Sequence, residues 1–131
     1  METHSRMNTR LIVTYCILSL LCVGCGSIDE EDEFKTVEMG CGSLEIRHLG
    51  AFGFGSHDVR FYWREDDREE LLAQTELCND GANLGDHNLE VVNLGNGKWE
   101  IILRGEEQED EHWVVETAGG DVRMGKKSTA E

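Results

Sequence analysis

The segment from Asn79 to Asn88 is rich in side-chain oxygen atoms and is the first candidate for a chemical site. Calcium takes about six to eight oxygen ligands from a flexible loop, and carboxylate and amide side chains supply them. The candidate metal ligands here are Asp80, Asn83, Asp86 and Asn88. The spacing lacks the EF-hand pattern and its closing glutamate. Asp and Asn also stabilise turns, because their side chains hydrogen-bond to the nearby backbone. The alternative is therefore a simple turn, and the absence of the EF-hand pattern favours it.

A glycine-rich stretch from Gly50 to His57 contains two phenylalanines, Phe52 and Phe54. Loops carry binding residues, and exposed aromatic side chains anchor protein interfaces, so this stretch is a candidate partner-binding loop. The alternative is that both aromatic rings fold under a sheet and close the core, with the glycines allowing a bend. The stretch is not a phosphate-binding loop, because it lacks the Lys-Ser/Thr end of that motif.

The sequence offers no pattern typical of catalysis. No serine lies in a Gly-x-Ser-x-Gly elbow, and the abundant carboxylates make adjacent acidic pairs unavoidable by chance. The histidines lie at no recognised zinc spacing; in the chain after residue 24 they are His48, His57, His87 and His112. We therefore expect a protein without enzymatic activity and without a cofactor, although side chains assembled in space could still form a site.

The N-terminal segment has the layout of a secretory signal. Arg6 and Arg10 precede a charge-free apolar run, Leu11–Val23, which is followed by Gly24 and Cys25. Thirteen helical residues span about 20 Å, whereas a bilayer core is about 30 Å thick. A cysteine directly after a small residue resembles the signal of bacterial lipoproteins. That resemblance implies removal of residues 1–24, acylation of Cys25 with fatty acids such as palmitate, and anchoring to a membrane. Simple secretion and an uncleaved anchor are the alternatives.

The remaining cysteines point to a disulfide. Cys41 and Cys78 form an even pair in a chain that is predicted to be exported into an oxidising compartment. Closing their loop of about 37 residues would stabilise the fold by roughly 4 kcal/mol on the chain-entropy estimate. We therefore predict a Cys41–Cys78 disulfide. A redox or metal pair is the alternative, but no Cys-x-x-Cys spacing supports it.

The charge balance limits the class of partner. The chain has 27 acidic residues, 12 Lys and Arg residues and a net charge of −15. Nucleic-acid binding depends on neutralising phosphates with Lys and Arg, and anionic lipid surfaces attract basic segments. We therefore expect no nucleic-acid partner and no electrostatic attachment to a membrane. Contact with a membrane would come through the acyl chains on Cys25, and an envelope protein is a possible partner.

The chain divides into four predicted segments. Residues 1–24 form the signal peptide, and residues 25–34 contain the lipidated cysteine and an acidic tether that is extended by self-repulsion. Residues 35–124 form one β-domain, and residues 125–131 form a disordered tail. A glycine after the lipidated cysteine is what the lipoprotein class shows on proteins that pass to the outer membrane, if the source is Gram-negative.

Apolar residues alternate with polar residues along most of the predicted domain. Val59, Phe61 and Trp63 give the clearest period of two, and Asn96-Gly97 between two β-rich runs predicts a hairpin. Leu71, Ala73, Thr75 and Leu77 follow the same alternation. Residues 69–76 also suit a helix by propensity, and we keep that as an alternative. Six to eight short strands predict an all-β fold, either a small antiparallel sandwich or a barrel.

The predicted function follows from these features together. We expect a lipid-anchored protein of the cell envelope whose acidic β-domain acts as a binding or assembly module. The alternative is a secreted or anchored domain that binds a small ligand or a divalent cation. An enzyme built from a spatial cluster of His and carboxylate side chains is the third and least supported hypothesis.

Overall fold

The computed structural model describes residues 31–49, 56–79 and 84–128. These residues form eight β-strands and one short 3-10 helix, Asp86–Asn88. The strands are β1 (Asp32–Glu38), β2 (Ser43–Leu49), β3 (Ser56–Glu65), β4 (Arg68–Cys78), β5 (Leu89–Gly95), β6 (Lys98–Leu103), β7 (Glu111–Ala118) and β8 (Asp121–Lys126). Within these ranges, no helix has the length and apolar character needed to cross a membrane.

The strands form two antiparallel meanders. Sheet A has the order β1-β2-β3-β4, and sheet B has the order β5-β6-β7-β8, so every strand pairs with its neighbour along the chain. Short loops between antiparallel strands allow this local pairing, and one face of each sheet can then be apolar. The all-β fold predicted from the alternation of apolar and polar residues is confirmed.

The core lies between the inner faces of the two sheets. In β3, Val59, Phe61 and Trp63 point inward, as the period of two predicted. The Phe61 ring lies 5.4 Å from the Trp113 ring of β7, centroid to centroid, and so joins the two sheets. The fully buried apolar core residues are Leu44, Ile46, Val59, Phe61, Leu77, Ile101, Leu103 and Val115.

The β5–β6 hairpin turns at Asn96-Gly97, as predicted. Both residues have positive φ, 55° at Asn96 and 70° at Gly97, which a type I′ turn requires. Gly97 also contacts β7, because its carbonyl oxygen accepts a 2.8 Å hydrogen bond from the Thr117 N–H. A Cβ atom at position 97 would lie 2.5 Å from the Thr117 carbonyl oxygen. Glycine therefore serves both the turn and the packing here.

Strand β4 contains a β-bulge that overturns part of the predicted alternation. Phe61 lies opposite Ala73, but Tyr62 lies opposite Leu71, so Leu72 is the extra residue. Leu72 and Ala73 consequently pack against the core, whereas Leu71, predicted to face inward, is 48% exposed. A bulge redirects the side chains that precede it. The helix alternative for residues 69–76 is wrong, because β4 is a continuous strand.

Glu111 joins the two sheets at one edge. Its Oε2 atom accepts hydrogen bonds from Thr75 Oγ1 of β4 (2.9 Å) and from the Trp113 indole N–H (3.1 Å). Its Oε1 atom lies 2.9 Å from Lys126 Nζ of β8. Burial raises the pKa of Glu111, but the hydrogen bonds from Lys126, Thr75 and Trp113 outweigh it and hold the pKa below its usual value. The ionised carboxylate therefore belongs to the folded state.

The β-structure extends beyond the predicted domain boundaries. Strand β1 begins at Asp32, within the segment 25–34 predicted as tether, and β8 continues to Lys126, within the segment 125–131 predicted as a disordered tail. The Lys127 N–H also donates a 2.7 Å hydrogen bond to the His112 carbonyl. Backbone hydrogen bonds to the neighbouring strands hold these charged segments in the sheets. The charge composition of the segments alone did not indicate this pairing.

Candidate functional site

The outer face of sheet A carries an unusual group of arginine and tyrosine side chains. In β3, Arg60, Tyr62 and Arg64 lie opposite to the inward residues, since successive side chains of a strand alternate between faces. In the strand register, Arg47 of β2 lies opposite Arg60, and Leu71 of β4 lies opposite Tyr62. We call these five residues the arginine–tyrosine face.

Glu45 is the buried anchor of this face. It is only 7% exposed, although it lies on the outer side of sheet A opposite Tyr62. Its Oε1 atom accepts a 2.7 Å hydrogen bond from Arg47 Nε, and its Oε2 atom accepts a 2.9 Å hydrogen bond from Arg64 Nη1. The bond from Arg47 lowers the pKa of Glu45, and burial, which acts in the opposite direction, does not cancel it. One carboxylate thus positions two guanidinium groups.

Arg47 is held by several neighbouring groups, among them Glu31, whose Oε2 atom lies 3.5 Å from Arg47 Nη1. Besides Glu45, its Nη1 and Nη2 atoms donate to the two carboxylate oxygens of Glu69 at 3.2 and 2.7 Å. Its guanidinium carbon lies 4.2 Å from the centroid of the Tyr62 ring, which is within the range of a cation–π contact. The hydrogen bonds from Arg47 to Glu45 and Glu69 raise the pKa of Arg47, so this group remains charged at every physiological pH.

Arg60 and Tyr62 are joined to the first described residue, Glu31. The Tyr62 hydroxyl donates a 3.1 Å hydrogen bond to Glu31 Oε1, and Arg60 Nη1 pairs with the same oxygen. Arg60 Nη2 also donates to Asp58 Oδ2 at 3.0 Å. The chain that enters β1 therefore becomes part of the network on sheet A.

The geometry of this face suits binding. Carboxylates hold its arginine side chains in fixed positions. Across residues 31–49, 56–79 and 84–128, no group of three or more His, Cys, Asp or Glu side chains is placed to hold a metal ion. Arg and Tyr are enriched where protein interfaces gain most of their binding energy, and the exposed Leu71 adds an apolar contact.

The predicted Cys41–Cys78 disulfide is wrong. Both cysteines are free and exposed. Cys78 lies opposite Ser56 at the start of β3, while Cys41 precedes Ser43, which lies opposite Arg64 near the end of β3. Eight residues of strand separate the two positions by about 26 Å. Disulfide-bonded residues have Cα atoms about 4.4–6.8 Å apart, so the fold excludes this bridge.

The described part of the oxygen-rich segment forms a structural turn. Asn88 is buried, and its Oδ1 atom accepts a 2.9 Å hydrogen bond from the Gly85 N–H. Its Nδ2 group donates to the Arg104 carbonyl at 2.7 Å and to Asn79 Oδ1 at 3.3 Å. These bonds occupy the side chain that was predicted as a metal ligand. Asp86 is exposed, and the proposed ligands Asp80 and Asn83 lie outside the described residues.

Two further predicted sites lie outside the described part of the chain. Phe52 and Phe54 belong to residues 50–55, and the predicted lipidation site Cys25 belongs to residues 1–30. Both remain predictions. The structure instead reveals Glu45 and Leu71 as important residues that sequence reasoning missed. The consecutive leucines at 71 and 72, which break strict alternation, were the signal that could have indicated the bulge.

Comparison with known protein families, with curated proteins and with solved structures yields no match. A functional proposal therefore depends on the geometry of the β-domain and on the features of the sequence.

Proposed function

We propose that this chain is a lipid-anchored protein of the bacterial cell envelope whose β-domain binds another envelope protein through the arginine–tyrosine face. The lipoprotein-like signal that ends at Cys25 supports the anchor. The face of sheet A supports the binding role. The protein acts by association and catalyses no reaction.

The observation that carries the proposal is the fixed geometry of Arg47 and Arg64. Free arginine side chains lose about 2 kcal/mol of rotamer freedom when an interface orders them. Here Glu45 already holds both guanidinium groups, and Tyr62 supports Arg47 from below. Most of this conformational entropy is therefore already lost when the protein folds. A partner can contact the planar guanidinium groups and the Leu71 side chain with a smaller further loss of side-chain entropy.

The charges of this face predict how binding depends on salt. The three arginines are balanced by Glu31, Glu45, Asp58 and Glu69. Recognition consequently depends on stacking, hydrogen bonding and apolar contact more than on net charge. We expect the affinity to change little between 0.05 and 0.3 M salt, on the order of twofold, because screening acts mainly on uncompensated charge.

Acylation of Cys25 would keep the β-domain close to a membrane. Six residues lie between Cys25 and Asp32, the start of β1, so an extended chain from one to the other reaches at most about 25 Å. The partner would accordingly be a membrane protein or another anchored protein. In a Gram-negative source, the glycine at position 26 favours the outer membrane.

The anchor is tested by the intact mass of the mature protein isolated from a bacterial membrane fraction. We expect a mass that begins at Cys25 and includes acyl groups, and a Cys25→Ser variant should lose the acyl mass and leave the membrane fraction. An unlipidated mature protein would refute the anchor. Intact-mass analysis before and after reduction also checks that Cys41 and Cys78 are not joined.

The binding face is tested by photo-crosslinking in intact cells. A photoreactive amino acid at Leu71 should give a discrete adduct with one envelope protein, identified by mass spectrometry. Leu94 of sheet B is the matched control, since the two leucines are 48% and 49% exposed. A Leu71→Ser change, made with the photoreactive residue at position 62, should abolish the adduct, and Leu94→Ser should preserve it. Equal adducts from positions 71 and 94 would refute the proposed face.

A further inference from the structure

The outer face of sheet B contains an open groove of about 430 Å³ at the end opposite to the β5 edge. Residues from β6, β7 and β8 line it, together with Lys127 just after β8. The lining residues that matter here are Lys98, Val114, Glu116, Arg123, Gly125 and Lys127. This groove lies on a different sheet from the arginine–tyrosine face.

The groove exists because one outward position of β8 has no side chain. Val122 and Met124 pack against the core, so the alternating residues Arg123 and Gly125 face outward. Gly125 lies opposite Val114 of β7, and the missing side chain leaves Val114 as an apolar floor. A Cβ atom at position 125 would meet nothing within 4 Å, so the space above the backbone is open.

The charge of the groove contrasts with that of the chain. Four of the 12 Lys and Arg residues line it, with Glu116 as the single acidic residue, although the chain carries a net charge of −15. Three of the four cations have carboxylate partners: Lys98 pairs with Glu116 at 2.9 Å, Lys126 with Glu111 at 2.9 Å, and Lys127 approaches Glu100 at 3.5 Å. Arg123 lies opposite Glu116 and attracts that carboxylate electrostatically, but within the described residues no hydrogen bond or ion pair engages its guanidinium group. The Arg123 N–H groups can therefore donate to an added anion.

We propose that this groove binds an extended acidic segment of a partner protein. Outward residues of a strand recur about every 6.6 Å, so Arg123 and Lys127 are about 13 Å apart with Gly125 midway. An extended peptide has the same repeat. It therefore places carboxylates at positions i and i+4 against Arg123 and Lys127, and a small apolar side chain at i+2 on the Val114 floor.

The overall negative charge of the protein does not prevent this binding. At 0.15 M salt the Debye length is about 8 Å, so distant carboxylates are largely screened, whereas the groove charges lie in direct contact with the peptide. Charge complementarity is therefore local. Because the groove charges are not fully compensated, binding here should weaken at least fivefold between 0.05 and 0.3 M salt, unlike binding at the arginine–tyrosine face.

The test uses two peptides of identical composition and the full chain in detergent micelles. The probe is acetyl-Asp-Thr-Val-Thr-Asp-amide, and the control is acetyl-Asp-Thr-Asp-Thr-Val-amide, which has the wrong carboxylate spacing. NMR titration follows the backbone amide of Gly125. We expect a saturable shift with the probe and an affinity for the control that is about tenfold weaker, since one charge-assisted contact is lost.

Two variants locate the binding in the groove. Gly125→Val should fill the space and abolish the shift of neighbouring amides such as Met124, while the fold is retained because the position is open and valine suits a strand. Arg123→Gln should weaken binding about tenfold. Lys35→Gln, an exposed substitution in β1 with the same charge change, should leave it unchanged.

Three results would overturn the proposal. Equal weakening by Arg123→Gln and Lys35→Gln would show non-specific charge attraction. Unchanged binding in the Gly125→Val variant would exclude the groove. Binding of phosphatidylglycerol vesicles that depends on Arg123, without any probe binding, would assign the groove to lipid instead of a protein segment. These outcomes are independent of the crosslinking test at Leu71.

Discussion

Replacing Leu72 by alanine should destabilise the protein much more than the same change at the adjacent Leu71. Leu72 packs against the core, whereas Leu71 is 48% exposed on the outer face. Full burial of a leucine side chain contributes about 1.5–3 kcal/mol, and truncation also leaves a cavity. Because Leu72 is only partly buried, we expect a loss of about 2 kcal/mol. Leu71→Ala should cost less than about 0.5 kcal/mol.

Urea unfolding monitored by tryptophan fluorescence measures both losses. For a domain of this size, the free energy of unfolding falls by about 1–3 kcal/mol per molar urea, so a loss of about 2 kcal/mol moves the midpoint by about 1 M. Leu71→Ala should move it by less than about 0.3 M. Unchanged slopes in the two variants would show that the difference reflects stability and not a change in the unfolded state.

The ranking of the two losses in the free energy of unfolding tests the position of the bulge. A strict alternation through β4 places Leu71 inside and Leu72 outside, which reverses the expected ranking. A helix over residues 69–76 places neighbouring leucines 100° apart and predicts comparable losses. A larger loss for Leu71→Ala, or equal losses, would refute the bulge and remove Leu71 from the arginine–tyrosine face.

Three further changes test the turns and the sheet-to-sheet contact. Asn88→Ala should cost about 1–3 kcal/mol in urea unfolding, because it removes a buried hydrogen-bonding side chain, whereas Asp86→Ala in the same turn should cost almost nothing. Gly97→Ala should lower the melting temperature more than Gly95→Ala: both positions have positive φ, but only at position 97 does a Cβ atom come within 2.5 Å of a β7 carbonyl oxygen. The lowered pKa of Glu111 contributes stability that is present above about pH 4.5 and is lost as the pH falls through the folded-state pKa, so Glu111→Gln should flatten the acid side of the stability–pH curve. An unchanged acid limb in that variant would show that other carboxylates control acid unfolding.

Local patterns predicted most of the strands but not their boundaries. The period of two in β3 and the Asn-Gly turn before β6 depend on neighbouring residues only, so both were readable from the sequence. The first residues of strand β1 were assigned to the tether because its acidic start, Asp32-Glu33, resembles a solvated segment. Its pairing with β2 stabilises it, and pairing between strands is not visible in the composition of one segment.

The candidate site was largely hidden because it depends on register. Arg60, Tyr62 and Arg64 were visibly on one side of β3, but the partners Glu45 and Glu69 come from two other strands. Which carboxylate meets which arginine is fixed by cross-strand pairing, and a shift of one residue would send every side chain to the other face. The incorrect disulfide has the same origin. An even number of cysteines in an exported chain does not indicate how far apart the two cysteines lie in the folded sheet.

The basic residues of the β-domain are concentrated on two surfaces, and this distribution affects how a partner can approach the domain. Seven of the ten Lys and Arg residues after Cys25 lie at the arginine–tyrosine face or the groove of sheet B, and most of the 26 acidic residues of that part of the chain lie elsewhere. The arginines of the arginine–tyrosine face are balanced by neighbouring carboxylates, so charge would orient a partner mainly at the groove. An acidic segment that approached another part of the β-domain would meet like charge and be repelled. On the proposed function, the acidic surface would therefore contribute specificity by opposing wrong orientations. High salt should consequently weaken binding at the groove and, at the same time, increase non-specific association of the β-domain.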